Sequence, residues 1–262
     1  MRLPRVLRWR RLSSVQRNLL IHIILTAGAL LLGHFTEFAW LSALAASLIT
    51  LWTVSRLLAR PTLRTVIVRS LEPLLIVWAG LINLQLMGHY ITLNSQAVAM
   101  ALIVLLLWQA RFFLLQFDPS RYESQSGHTV ILIWMITNAI GLLLLEAPAY
   151  LILLLAVGWL LQYVVAHFWL ERIGFHNSFV PAAWALLITQ LLWITSFVII
   201  IYQLPVAGLL VTRLSLMVIV MAYAWGSLLQ LHSRKSLTKK LVVEYGMICS
   251  FALGILIFLP AL

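Results

Sequence analysis

The sequence predicts an all-α, polytopic membrane protein: one transmembrane helical bundle of about nine spans, N-terminus inside and C-terminus outside. Three observations carry that expectation. Apolar residues make up 63% of the 262 and charged residues 10%, with a mean hydropathy of +1.03, whereas soluble domains hold roughly 45–50% and 25%. Apolar runs of about 20 residues recur along the chain, and each is long enough at ~1.5 Å per residue to cross, or nearly cross, ~30 Å of hydrocarbon. The basic residues fall almost entirely in alternate connections between those runs.

In chain order the spans are expected near 18–36, 39–59, 65–87, 96–117, 129–146, 148–170, 178–202, 206–231 and 241–260. The segment 1–17 carries Arg2, Arg5, Arg8, Arg10, Arg11 and Arg17. It precedes the first run as the basic region of a signal peptide would, but that run is too long for such a segment and leads straight into a second full span, so it reads as a retained helix. The second span presents the small residues Ser42, Ala43, Ala46 and Ser47, a face suited to close helix packing. The third holds Arg69, Glu72 and Pro73 within an otherwise apolar stretch. After the fourth comes the longest polar insertion, Asp118 to His128, too short to fold alone. The fifth and sixth are separated only by Glu146, Ala147 and Pro148. Proline there suits the first turn of a new helix and makes the pair a tight hairpin. No linker, repeat or soluble domain interrupts the series, so residues 18–262 form one membrane domain.

Charge placement orients the bundle. With the N-terminus inside, all of the 18 basic residues except Arg213 fall on inner connections or inner span ends, which is the distribution that fixes topology. The formal net charge of +11 therefore speaks of contact with anionic lipid headgroups at the cytoplasmic face and not of nucleic acid. The expected location is the plasma (inner) membrane. Trp134, Trp169, Trp184 and Trp225 lie near expected inner span ends, where interfacial anchoring is the ordinary role of the ring. Trp78, Trp108, Trp159 and Trp193 are deeper, at helix-packing or lipid-facing positions.

Few residues could carry chemistry. Arg69 and Glu72 have the i,i+3 spacing that pairs opposite charges on one helix face, and Pro73 removes a backbone donor beside them. Charges at that depth usually face a bundle interior or water. They form either a neutralised pair that shapes the bundle or a polar site open to the cytoplasm. Arg213 is expected about two turns inside the eighth span, with Glu146 or Glu37 as structural partner or an anionic group as ligand. Asn83, Asn138, Gln162, Thr189, Gln190, Thr212 and Ser215 are deep and neutral, suited to interhelical hydrogen bonds or, if they converge, to lining a pathway. His167, Glu171 and His176 could contribute metal ligands, but they match no metal signature, and interfacial hydrogen bonding is the simpler reading. Cys249 stands alone, which excludes an intrachain disulfide and a thiolate cluster.

Absences narrow the function classes. Asp118 is the only aspartate, which removes two-aspartate intramembrane proteolysis and aspartate-rich magnesium-dependent transfer. HExxH, GxSxG and the phosphate-binding lysine loop are missing, and no lysine lies mid-helix to carry a Schiff base. No cofactor is expected. Arg69, Glu72, Arg213, Asn138 and Gln190 are the substrate or pathway candidates, and because Arg69, Glu72 and Arg213 are charges that neutral packing would not require, a transporter or flippase-type protein for a small or amphiphilic substrate is favoured. A non-catalytic subunit or scaffold of a membrane complex is the alternative, with a membrane-protein partner or a homo-oligomer. An intramembrane enzyme ranks third. The discriminating feature is whether the polar side chains converge on an open cavity or are each used in helix contacts.

Overall fold

The computed structural model describes residues 21, 23–26, 28, 39–57, 62–88, 122–172, 175, 177–203, 210–233 and 235–258. The expected span at 96–117, most of that at 18–36, and Glu37, Arg121 and His176 lie outside them. The described residues are helical almost throughout. They form α1 (Ala39–Leu57), α2 (Leu63–Gly88), α3 (Tyr122–Glu146), a 3-10 turn (Pro148–Tyr150), α4 (Leu151–Arg172), α5 (Phe179–Ser196), β1 (Ile201–Gln203), β2 (Leu210–Thr212), α6 (Arg213–Ser233) and α7 (Lys239–Phe258). Among them, five helices are long and apolar enough to cross a membrane: those over Thr129–Glu146, Pro148–Glu171, Phe179–Ser196, Arg213–Ser233 and Lys239–Phe258. Shorter apolar helical stretches cover Ala43–Arg56 and Ser70–Asn83.

The chain divides into two units, Met1–Leu81 with Met100–Phe117, and Ile82–Ala99 with Asp118–Leu262. In the first, α1 buries Ala43, Ala46, Thr50, Thr53 and Val54, a stripe at helical spacing that includes two of the small residues expected to pack closely. Thr50 and Thr53 donate to the carbonyls of Ala46 and Ile49, each four residues back (both 2.8 Å), so their hydroxyls are satisfied without leaving the helix. Trp78 Nε1 on α2 donates to Ser47 Oγ on α1 (3.1 Å).

The second unit is built around α3, whose residues Leu132, Ile133, Ile136 and Asn138 are fully or almost fully buried. Helices α4 and α6 pack on α3, α5 packs on α4, and α7 packs chiefly on α6 with none of its residues buried. The turn between α3 and α4 is as short as Glu146-Ala147-Pro148 requires: Ala147 N donates to Leu143 O, and Pro148 opens the 3-10 turn at its first position.

Two of the indole anchors expected at an interface are instead packed inside. Trp169 is 5% exposed and Trp184 3%. The six-membered ring of Trp169 occupies the space over Gly226 of α6, where a Cβ would lie 2.0 Å from Cζ2. Absence of a side chain at Gly226 is what lets the indole in, so burial wins over the interfacial preference.

The connection between α5 and α6 also departs from expectation. The seventh span was expected to run to 202 and the eighth to start at 206; the chain leaves the helix at Ser196 and resumes it at Arg213. Between them β1 and β2 pair antiparallel in the register Ile201↔Thr212, Tyr202↔Val211 and Gln203↔Leu210. Hydropathy counts Val198, Ile199, Ile200 and Ile201 as more span, but β-branched side chains prefer extended backbone. At the helix end Thr195 Oγ1 donates to Leu191 O (2.7 Å) and Ser196 Oγ to Trp193 O (2.6 Å). Arg213 is therefore the first residue of α6 and not two turns inside a span.

Candidate functional site

Extended backbone near hydrocarbon needs partners for its polar groups, because no water is there to supply them. Strand β2 has β1 on one side, where Arg213 N just beyond it donates to Ile200 O (2.8 Å). Its alternate groups, Leu210 O and Thr212 N, face the other way and meet the carboxamide of Asn138. Asn138 Nδ2 donates to Leu210 O (3.2 Å), and Asn138 Oδ1 accepts from Thr212 N (2.8 Å). One side chain of α3 thus does for β2 what a third strand would. The approach is possible because Gly141, one turn on, carries no Cβ; one built there would meet Thr212 Cγ2 at 3.0 Å.

The same amide is used up by its other contacts. Nδ2 also donates to Asn83 Oδ1 (2.8 Å), and Oδ1 also accepts from Ser215 Oγ (3.0 Å). Asn83 Nδ2 donates to Met135 O (2.9 Å). Thr212 closes the circuit as the residue before α6, its Oγ1 accepting from Ser215 N (3.2 Å), the usual hydroxyl cap of a helix start. Asn83, Asn138, Thr212 and Ser215 are all buried. Four of the deep polar residues flagged in the sequence are therefore one network that joins α2, α3, the hairpin and α6.

A second knot lies one residue away on α3. Gln162 of α4 donates through Nε2 to Thr137 Oγ1 (2.9 Å) and more weakly to Ile133 O (3.4 Å), and its Oε1 accepts from Trp184 Nε1 of α5 at 3.4 Å. Asn138 and Thr137, adjacent in sequence, point to different neighbours because successive helical residues are about 100° apart. Gln190, expected with Asn138 in a pathway, takes no part: it is exposed on α5 and its side chain makes no hydrogen bond among the described residues.

Arg213 is half-buried at the hairpin end of this unit. Its Nε donates to Tyr202 Oη (2.6 Å), its guanidinium lies over the Tyr202 ring (5.4 Å to the centroid), and Nη1 donates to Ile257 O (3.3 Å). Ile257 is in the last turn of α7, where carbonyls lack intrahelical donors and a cation is favoured. The residue thus ties together β1, the start of α6 and the end of α7. Glu146 does not pair with it, and Glu37 lies outside the described residues. Beside it is a cavity of about 30 Å³ lined by Gly141, Thr195, Ser196, Thr212, Arg213 and apolar neighbours, room for about two waters.

In the first unit Glu72 is 9% exposed and sits beside the buried Pro73 in an unbroken α2. Arg69 lies in the same helix, three residues before it, with its side chain outside the described set. At the other end of α4, His167 Nε2 and Glu171 Oε1 are 3.3 Å apart and both partly exposed. No group of three metal-ligating side chains occurs among the described residues. What sequence reading overlooked is the ladder above that pair. Trp159 stacks on Tyr163 (5.5 Å, 12°) and Tyr163 on His167 (5.8 Å, 7°). The i,i+4 spacing of Trp159, Tyr163, His167 and Glu171 was the available signal.

Taken together, the helices and the polar network of the second unit define an integral, multi-pass α-helical membrane protein. No protein-family model, curated protein or solved structure matches the chain.

Proposed function

We propose that the chain is a non-catalytic subunit or scaffold of a membrane complex, spanning the plasma (inner) membrane nine times with its N-terminus in the cytoplasm and its C-terminus outside. The observation that carries this is the fate of the deep polar groups in the second unit. Asn83, Asn138, Gln162, Thr212 and Ser215 hydrogen-bond to one another, to buried backbone and to Trp184, and Arg213 binds the end of α7. A substrate pathway needs such groups turned toward a lumen; a helix-locking role needs them turned toward each other. Exposed apolar side chains along α7 and on α5, such as Phe251, Met247, Leu186 and Ile194, are the surface left for lipid or a partner.

A transporter or flippase is the second reading, favoured by the buried Glu72 beside Pro73, since an ionisable group within a span often marks a pathway. Single-cysteine labelling with membrane-impermeant thiol reagents in a Cys249→Ala background separates the two. For the scaffold, positions along α2, α3 and α6 stay unlabelled beyond the end turns. A labelled helical stripe reaching Glu72 from inside, or running past Arg213 from outside to Ser215, would replace it with transport. The same reagents applied to each side of sealed vesicles check the orientation at Ser236 and Gln203.

A further inference from the structure

The turn from α6 to α7 concentrates cations that form no ion pair among the described residues, Glu244 one turn beyond Lys240 included. Helix α6 ends in a Schellman arrangement, with Lys235 N donating to His232 O and Ser236 N to Leu231 O (both 3.0 Å). The position that takes a left-handed backbone in this motif usually belongs to glycine. Lys235 occupies it, at φ 56°, the only non-glycine residue with positive φ among those described. Three residues on, Thr238 caps α7 through its Oγ1 and Leu241 N (3.3 Å). Lys239 and Lys240 then fill the first two helical positions, with no acidic residue in that turn. A helix start carries partial positive charge and favours acids, so these ammonium groups oppose it. All three lysines are exposed, and no carboxylate among the described residues pairs with them.

Below the lysines the surface turns apolar in register. Val243, Met247, Phe251 and Ile255 follow Lys239 at steps of four along α7, all exposed, and residues four apart line one ridge. From Lys239 to Met247 is roughly 12 Å at ~1.5 Å per residue, close to the ~15 Å hydrocarbon depth of one leaflet. Cationic groups above an apolar ridge of that length match the shape and charge of one amphiphile.

We propose that the α6–α7 turn is a binding site for an anionic phospholipid, with Lys235, Lys239 and Lys240 around the headgroup phosphate and the Val243–Met247–Phe251 ridge receiving an acyl chain. This stands apart from the scaffold reading, because a transporter would carry the same site. The bound headgroup neutralises the charge that opposes the start of α7, a helix that packs chiefly on α6 and buries none of its own residues.

The test is native mass spectrometry of the purified full chain, titrated with phosphatidylglycerol and with phosphatidylcholine of the same acyl chains. Phosphatidylglycerol is expected to be retained preferentially. The triple variant Lys235→Gln/Lys239→Gln/Lys240→Gln should bind it on the order of 100-fold more weakly, from about fivefold per lysine at a membrane surface. The matching triple change to arginine should keep it, and elution and helical content should be unchanged in both. Arg56→Gln, at an exposed position on α1, measures the generic effect of one lost charge. Equal binding of the two lipids, unchanged affinity in the glutamine variant, or a loss per charge as large for Arg56→Gln would overturn the site. Displacement of the lipid by millimolar inorganic phosphate would reassign it to a soluble anion.

Discussion

Asn138→Leu should be among the most damaging substitutions of comparable size in the second unit, and the structure says by how much. Leucine is close to asparagine in shape, so the change removes hydrogen bonds with little cavity. It strands Leu210 O and Thr212 N, the two backbone groups of β2 that only this amide serves, and takes the Nδ2 donor from Asn83 Oδ1. Ser215 Oγ is spared because its single proton also has Thr212 O within reach (2.8 Å). An unsatisfied buried polar group costs about 1–3 kcal/mol, while polar pairs inside membranes average ~0.6 kcal/mol. Two stranded backbone groups that cannot turn away place the loss at roughly 2–5 kcal/mol.

The companion change Gln162→Leu is the internal standard. There Thr137 Oγ1 keeps its donation to Ile133 O (2.8 Å), and only Trp184 Nε1 is left without an acceptor, for about 1–2 kcal/mol. Reversible unfolding in mixed micelles gives both values. Hydrogen exchange should show the Thr212 amide opening in the Asn138 variant and not in the Gln162 variant. Gln190→Leu, at an exposed amide without a described partner, should be neutral or stabilising. A loss below about 1 kcal/mol for Asn138→Leu, well under the range set by stranded backbone groups, or a larger loss for Gln162→Leu, would refute the claim that the amide substitutes for a strand.

Three further outcomes follow from particular contacts. Gly226→Ala should destabilise by at least about 1–3 kcal/mol, the usual range for overpacking, because the new methyl would lie 2.0 Å from Trp169 Cζ2; Trp169→Leu in the same chain should recover part of the loss in melting temperature. Lys235→Gly should stabilise the α6–α7 turn by up to about 1 kcal/mol by relieving the positive φ of 56°, read as a raised unfolding midpoint. Arg213→Leu should loosen the end of α7, seen as faster hydrogen exchange over 255–258. Arg213→Lys should rescue it only in part, since an ammonium cannot reach Tyr202 Oη and Ile257 O with a planar fork.

The sequence made the membrane class legible because hydropathy and length act locally: five long apolar helices lie within or close to the expected spans, though two of them are cut short at the hairpin, and the α3–α4 turn is where Glu146-Ala147-Pro148 put it. Charge placement was legible for the same reason: Lys235, Lys239 and Lys240 are at a helix connection. What hydropathy could not read was the segment 197–212. Apolar helix and apolar strand have the same transfer energy, and only the β-branching of Val198 to Ile201 separated them. Asn138 is visible in the sequence as a deep polar residue, but its partner is a strand whose residues hydropathy reads as helix, so its role is not. Trp169 illustrates the converse: its place was set by an absence, the missing side chain of Gly226, fifty-seven positions away.

The hairpin also bears on Arg213, the one basic residue that the charge count leaves off the expected inner side. Inside a span it would be a charge in hydrocarbon, and function would be the natural reason for it. At the first turn of α6 it has neutral oxygens on both sides, Tyr202 Oη and Ile257 O. One of these is a helix-end carbonyl, and a guanidinium with several fixed donors can bind such groups. Arg213 favours transport only as a charge that packing does not require. The contacts of Arg213 with β1 and α7 at the start of α6 supply a packing requirement, and the weight on a pathway moves to Glu72, where cysteine labelling along α2 decides it.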